Sequence, residues 1–256
     1  MDKQELRGLL ENLHSKYNNS GFIEADPISL PHKFTRKEDI EIAGFLAATI
    51  AWGNRKVIVR NAHRMAEMMD NSPYDFTMNA SREDMAPLME FVHRTFNGDD
   101  FLTFIMALRN IYTNHGGIGA FFERSYAQSS DMRKAISEFR NEFFSIEHDK
   151  RSQKHLSSID KGAACKRLNM FIRWMVRKDD HGVDFGLWEG IPSSAIYLPL
   201  DVHSGNMSRE LGLLSRTQND WRAVEEVTQS LAGFDPEDPV KYDFALFGAG
   251  IDGYLK

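Results

Sequence analysis

The sequence predicts an all-α protein, and three observations carry that prediction. Apolar residues recur at three- and four-residue spacing along most of the chain. No run alternates apolar and polar residues long enough to suggest a strand. Helix-start signals and glycine or proline breaks separate the apolar runs at intervals suited to helices of ordinary length.

Taken in order, Thr35-Arg-Lys-Glu38 has the form of a capping box before the apolar run Ile40 to Trp52. Gly53-Asn54 interrupts, and Val57 to Met69 predicts a second helix. Ser81-Arg-Glu-Asp84 opens another, with Met85, Leu88, Met89 and Val92 on one face. Phe101 to Tyr112 follows, closed by Asn114-His-Gly-Gly117, and Met132 to Phe144 is amphipathic. Ala163 to Val176 is apolar on most sides. Lys178 to Pro199 breaks into Gly, Pro and Ser with scattered aromatics, the pattern of a long ordered loop. Helices resume at Val202 to Leu211 and Trp221 to Leu231, and Asp238-Pro239 opens a last one to Phe247, with Gly248 as its stop.

Composition narrows the function classes. The single cysteine, Cys165, excludes a disulfide framework, a four-cysteine zinc site and a four-cysteine iron–sulfur cluster, and fits a reducing cytoplasm. The first residues lack the apolar stretch of a secretory signal, and the longest dense apolar run, Ile42 to Trp52, falls short of the roughly 20 residues a bilayer requires. A cytoplasmic protein with no membrane partner is expected. No obligatory protein partner is evident. The net charge of −6 speaks against a nucleic-acid coat, but the charge is unevenly distributed. From Arg151 to Lys178 there are eight Lys and Arg residues against one acid, Asp160, a local excess of seven. Arg55, Lys56, Arg60 and Arg64 form a second basic stretch with no acid between them. Either stretch, alone, reads equally as a solvated face.

The segment after Gly162 carries the most chemistry. Cys165, Leu168, Ile172 and Met175 share a core face, while Lys166, Asn169, Arg173 and Arg177 fall on another stripe. A largely buried helix must aim a basic stripe at water, a cleft or an anionic partner. Lys166 stands in the first turn, where the positive end of the helix dipole and partial desolvation favour a neutral amine, the form that attacks carbon. The plainer alternative is a surface lysine.

Asp160-Lys-Gly-Ala-Ala-Cys-Lys-Arg-Leu-Asn-Met-Phe-Ile resembles the hairpin and second helix of the helix-hairpin-helix (HhH-GPD) DNA glycosylases, such as endonuclease III. Gly162 matches the first hairpin glycine, Ala164 stands where that family has a second, and Lys166 matches the lysine of the bifunctional glycosylase/lyases. Pro199-Leu-Asp201-Val-His203 resembles the family's Val-Asp-Thr/Val-His segment, whose aspartate lies beside the scissile bond; a plain helix cap is the alternative for Asp201. Glu41 to Trp52 with Gly53-Asn54-Arg55 resembles the element that inserts side chains into the duplex, and Tyr242 to Gly250 the last helix. The 35 residues between Lys166 and Asp201 exceed the interval of endonuclease III and are nearer to that of the archaeal 8-oxoguanine DNA glycosylase/lyases. The whole chain also resembles a bacterial family of unknown function.

The resemblance implies two helical lobes, 41–198 carrying the hairpin and 1–40 with 199–256 forming the other, with the cleft between them. It implies a glycosylase with abasic-site lyase activity on an oxidised purine such as 8-oxoguanine, in double-stranded DNA containing the damaged base. Lys166 would attack C1′ of a flipped nucleotide and Asp201 would stabilise cationic character at the sugar. Hairpin amides around Asp160 to Ala164 would hold a phosphate, with Arg167, Arg173 and His203 as further contacts, and hairpin carbonyls would hold a monovalent cation; no other cofactor is expected. Trp52, Gly53, Asn54 and Arg55 would fill or probe the gap, although Trp52 also reads as the last core residue of its helix. Asp243, Phe244 and Phe247 would line the base pocket, though a capped apolar helix explains them equally. The alternatives are a non-catalytic helix-hairpin-helix DNA-binding protein and, given the acidic net charge, a helical scaffold for a protein partner.

Overall fold

The computed structural model describes residues 1–253, and they are predominantly helical. In chain order the helices are α1 (Lys3–Tyr17), α2 (Gly21–Glu24), α3 (Lys37–Thr49), α4 (Arg55–Glu67), α5 (Pro73–Asn79), α6 (Arg82–Met85), α7 (Gly98–His115), α8 (Ile118–Ser129), α9 (Met132–Phe143), α10 (Lys166–Val176), α11 (Val202–Glu210), α12 (Trp221–Ala232) and α13 (Asp243–Asp252). Short 3-10 turns join several of them. A two-stranded antiparallel hairpin, β1 (Val92–His93) and β2 (Phe96–Asn97), precedes α7. Its strands are too short for alternation to register, which is why no strand is expected there from periodicity. No described helix is long and apolar enough to cross a membrane.

The chain divides into two units, Ile23–Ser157 and Met1–Phe22 with Ser158–Lys256. These limits differ from 41–198 against the remainder. The hairpin and α10 belong with the terminal helices because Arg173 and Arg177 of α10 pair with Asp243 and Asp238, just before or within α13.

The 23–157 unit is built around α3, whose residues Ile40 to Thr49 are all buried. Phe45 of α3 stacks on Phe104 of α7 and meets Phe139 and Phe143 of α9 edge-on or tilted, an aromatic core that buries several large side chains together. The helix starts at Lys37, and its N-cap Arg36 makes no side-chain cap bond, so Thr35 is not the expected cap. Ser81 does cap α6 in a box with Asp84, and Asn54 caps α4 by accepting from the Val57 amide. The helix expected after Ser81 narrows to a 3-10 turn, Ala86–Glu90, because Pro87 in its first turn removes a donor.

In the other unit α13 is central. It does not stop at Gly248 but runs on to Asp252 and ends at Gly253 in the left-handed conformation. Gly248 serves packing instead: a Cβ there would lie 2.3 Å from the Tyr17 ring of α1, and one at Gly250 would lie 2.9 Å from the His203 carbonyl of α11. Two small residues thus let α1 and α11 approach the same helix closely. The 178–199 segment is largely irregular but anchored to α10. Phe185 and Trp188 donate backbone hydrogen bonds to the carbonyls of Trp174 and Met175, at 2.7 and 3.0 Å, and Trp188 is fully buried.

Candidate active site

The helix-start region of α10 supplies Lys166. Gly162 takes a left-handed conformation (φ 78°), and Cys165 takes another (φ 48°) directly before the helix without a side-chain cap bond. The chain therefore turns twice within four residues, which puts Lys166 in the first helical position. Ile159–Lys161 is a 3-10 turn, and the amides of Lys161, Gly162 and Ala163 donate to the carbonyls of Ser158 and Ile159. Those three amides, within the stretch expected to hold a phosphate, are committed inside the hairpin. The Gly162 carbonyl accepts from the Trp221 amide at 2.9 Å.

Asp201 stands at the start of α11 and its two carboxylate oxygens have different tasks. Oδ1 accepts from the amides of His203 and Ser204, at 2.8 and 3.0 Å, and from the Ser204 hydroxyl at 3.3 Å, while Ser204 Oγ accepts from the Asp201 amide. This is a complete capping box, and it fixes the side-chain rotamer. Oδ2 faces Lys166 Nζ at 3.9 Å. Asn219 holds the Asp201 carbonyl at 2.9 Å and is itself held by Arg209 at 2.6 Å, so the backbone of the cap is braced as well. Lys166 and Asp201 are 26% and 21% exposed, which leaves both within reach of a ligand. The separation is an ion-pair distance rather than a hydrogen bond, and it leaves the amine free to turn toward a third group. The nearest donor contact of Lys166 is the Met170 sulfur one turn further along, at 3.6 Å.

Other expected residues gather on the same unit. His203 is exposed, and its ring meets Phe247 of α13 edge-on at 6.3 Å. Arg167 is half-buried, and desolvation holds its guanidinium down to about 10. Arg173 departs from expectation. It lies two turns below Lys166 on the same face, but it is 3% exposed and is ion-paired to Asp243 and, at 3.3 Å, to Asp184. It is thus not an open phosphate contact, because the carboxylates that neutralise it come from the 178–199 loop and from α13. Asp243 is likewise buried against Arg173 rather than facing a pocket as a free carboxylate. Burial pushes its carboxyl up to about 6; Arg173 and Lys166 oppose that shift and Asp201 adds to it. Phe244 beside it carries the Arg173 guanidinium over its ring at 4.3 Å.

Arg177 extends the buried network. It meets Asp179 at 2.5 Å, Asp184 at 3.1 Å and Asp238 at 2.8 Å. Desolvation opposes its charge, but the three aspartates outweigh it and raise its pKa. Burial raises Asp184, whereas Asp179, also helped by Asn18, is lowered despite its own desolvation. Much of the basic excess from Arg151 to Lys178 is therefore neutralised internally.

Trp52, Gly53, Asn54 and Arg55 belong to the 23–157 unit. Trp52 is half-buried past the end of α3, stacked on His155 at 5.8 Å and edge-on to His93 at 5.0 Å. Gly53 (φ 107°) and Asn54 are exposed, and Asn54 is the cap of α4. Arg55 pairs with the buried Asp26 at 2.6 Å. Sequence reasoning missed Met170, Ser204 and Asn219. The Asp-x-x-Ser spacing signals Ser204, whereas nothing local signals Asn219, 18 residues from the aspartate whose backbone it braces.

No curated protein and no solved structure matches the chain. A family model does, over residues 26–252, and the chain belongs to that family, described as Protein of unknown function (DUF2400).

Proposed function

We propose that this chain is a DNA glycosylase with abasic-site lyase activity, acting on an oxidised purine such as 8-oxoguanine in duplex DNA. The observation that carries the reading is the approach of Lys166 Nζ to Asp201 Oδ2 at 3.9 Å, from the first turns of two helices 35 residues apart in sequence. An amine beside a carboxylate whose other oxygen is locked in a cap is a pair suited to attack at an acetal-like carbon. The helix-hairpin-helix resemblance of residues 160–172 supports the same reading.

In this mechanism the target nucleotide is flipped from the stack, since C1′ is inaccessible within a duplex. Neutral Lys166 attacks C1′ as the glycosidic bond breaks, and the departing base takes the bonding pair and a proton from Nζ; the C1′–O4′ bond then opens, O4′ takes that pair and a solvent proton, and a protonated imine joins C1′ to Lys166. Asp201 Oδ2 stabilises the positive charge that develops on the sugar and then on the imine. Loss of a C2′ proton expels the 3′ phosphate by β-elimination, and water releases Lys166. The His203–Phe247 pair would lie on the base side and the first-turn amides of α10 on the phosphate side.

Borohydride reduction tests the reading directly. The full chain should become covalently attached to a duplex carrying 8-oxoguanine or an abasic site, and Lys166→Gln should lose the adduct entirely while keeping its helical signal. A well-folded wild type that gives no adduct across a panel of lesions overturns it.

One observation favours a second reading, a non-catalytic helix-hairpin-helix DNA-binding protein: Asp201 Oδ1 and the amides of Lys161 to Ala163 are already used in structural bonds. That reading expects salt-dependent duplex binding without base release, indifferent to the charge of Asp201.

A further inference from the structure

We infer that the β1–β2 hairpin and the exposed face of α4 form a surface that holds a nucleic-acid backbone, with Arg94 as a pre-positioned phosphate-binding residue. The inference rests on the duplex substrate proposed above, and it names where part of that duplex is held.

Three observations converge on Arg94. The first is its backbone: Arg94 is at φ 56°, a left-handed conformation that costs an arginine and costs glycine nothing. The second is its placement. Gly53 has φ 107°, and a Cβ built there would lie 2.5 Å from Arg94 Nη1, so the guanidinium lies against the backbone of Gly53. The neighbouring residue secures the same junction: His93 is buried, and its ring nitrogens lie 2.9 Å from Asn61 Nδ2 and 3.2 Å from the Trp52 carbonyl. Since the Asn61 amide can only donate, His93 Nδ1 accepts and Nε2–H donates to Trp52. Arg151 fastens the far side of the hairpin, donating to the Thr95 carbonyl at 3.1 Å and to Asn97 Oδ1 at 2.8 Å.

The third observation is charge. Three arginines of this unit meet carboxylates, Arg36 with Asp75, Arg55 with Asp26 and Arg151 with Asp100, and Arg109 and Arg140 donate to backbone carbonyls. Arg94, Lys56, Arg60 and Arg64 are exposed, and none has a carboxylate partner among the described residues. The last three recur at four-residue spacing, one stripe of α4 about 12 Å long at 1.5 Å per residue. That stripe runs beside the hairpin, since Asn61 bonds His93 and the Arg64 guanidinium stands 5.9 Å from the Phe91 ring. Four unpaired cations on one face of a chain of net charge −6 call for negative charge from outside. A nucleic-acid strand carries a regular series of phosphates that can run along the stripe, and the donor fork of a guanidinium suits a phosphate. Backbone strain held in place by surrounding contacts is a recurrent mark of binding positions.

The test is binding of the full-length protein to an undamaged 20-base-pair duplex, followed by fluorescence anisotropy over a salt series. Arg94→Gly removes the guanidinium and relieves the left-handed strain, so its melting temperature should hold or rise while affinity falls several-fold. The slope of log K against log salt should become shallower by about 0.9, one phosphate contact. The Lys56→Ala/Arg60→Ala/Arg64→Ala variant should lose roughly three times that slope. Arg82→Ala, an equal charge change on α6, should leave both unchanged. Wild-type binding with Arg94→Gly and the triple variant indistinguishable from it overturns this surface and leaves the proposed function standing, because Lys166-dependent trapping is scored separately. No wild-type binding at low salt, or binding only to anionic vesicles, overturns the surface and the duplex substrate together.

Discussion

Helix α10 carries two kinds of cation–carboxylate contact, one near each end. At its start Lys166 faces Asp201 across 3.9 Å with about a quarter of each side chain open to solvent. Two and three turns further on, Arg173 and Arg177 are almost wholly buried among Asp179, Asp184, Asp238 and Asp243. The stripe is the same, yet the cations differ and so does the physics. Guanidinium groups present several donors in a fixed fork and stay charged when desolvated, so they suit a buried lattice of carboxylates. An ammonium on a flexible stem, beside a carboxylate oxygen it does not touch, remains able to move. The lower pairs hold the unit together and the upper pair stays available for chemistry.

Breaking each pair in turn tests that division, and the largest effect belongs to the buried end. Arg177→Ala leaves Asp184 and Asp238 with a lost partner in a desolvated setting, and removing one member of such a network costs about 3–5 kcal/mol. Lys166→Ala breaks a loose, partly exposed pair and should cost less than about 1 kcal/mol. Chemical denaturation of both variants beside the wild type measures the contrast. Equal costs would erase the distinction between a structural and an available end.

Asp243 gives the next largest effect, and it appears as a dependence on pH. Its carboxyl is pushed up to about 6 in the folded protein, chiefly by burial, from an ordinary value of 3.8. Between those values the folded state binds a proton that the unfolded chain does not, so this group's contribution is fully present below about pH 4 and is lost as pH rises through 6. The span of the shift bounds it at about 3 kcal/mol. His14, held down to about 4 by burial and by Arg177, works in the opposite direction over much of the same window. Bulk acid stability therefore does not isolate Asp243, but comparison with Asp243→Asn does, since His14 is common to both. Urea unfolding from pH 7 to 4.5 should show the wild type gaining on the variant as pH falls. A constant difference would mean that Asp243 keeps an ordinary carboxylate value.

The same division marks what was legible in the sequence. Local signals were readable: Asp201 before its helix, Ser81 at the start of another, and Gly116, left-handed (φ 80°) at the end of α7. Their physics is confined to four or five adjacent residues. The basic stripe was visible, but its meaning was not. Whether Arg173 faces DNA or a buried aspartate depends on Asp184 and Asp243, 11 and 70 residues away, and neither distance leaves a trace in periodicity. Gly248 failed for a related reason: a glycine that ends a helix and a glycine that admits a Tyr17 ring are the same letter. The 92–97 hairpin escaped because two-residue strands are shorter than the pattern that identifies strands.

The smallest effect separates the two tasks of Asp201. Its Oδ1 caps α11 and its Oδ2 faces Lys166, so a single substitution to alanine confounds them. Alanine removes the cap and should cost about 1 kcal/mol, whereas asparagine is an equally good cap and should change stability by no more than a few tenths. Asparagine keeps an oxygen for the His203 and Ser204 amides but presents no charge to Lys166. If the carboxylate exists only to start a helix, Asp201→Asn behaves as wild type in every assay. If Oδ2 stabilises a developing cation, Asp201→Asn melts with the wild type but traps on an abasic duplex at least tenfold more slowly, and only Asp201→Ala shows both defects. The pair of substitutions, read by thermal melting and by borohydride trapping on one preparation, divides structure from chemistry at the residue where the two meet.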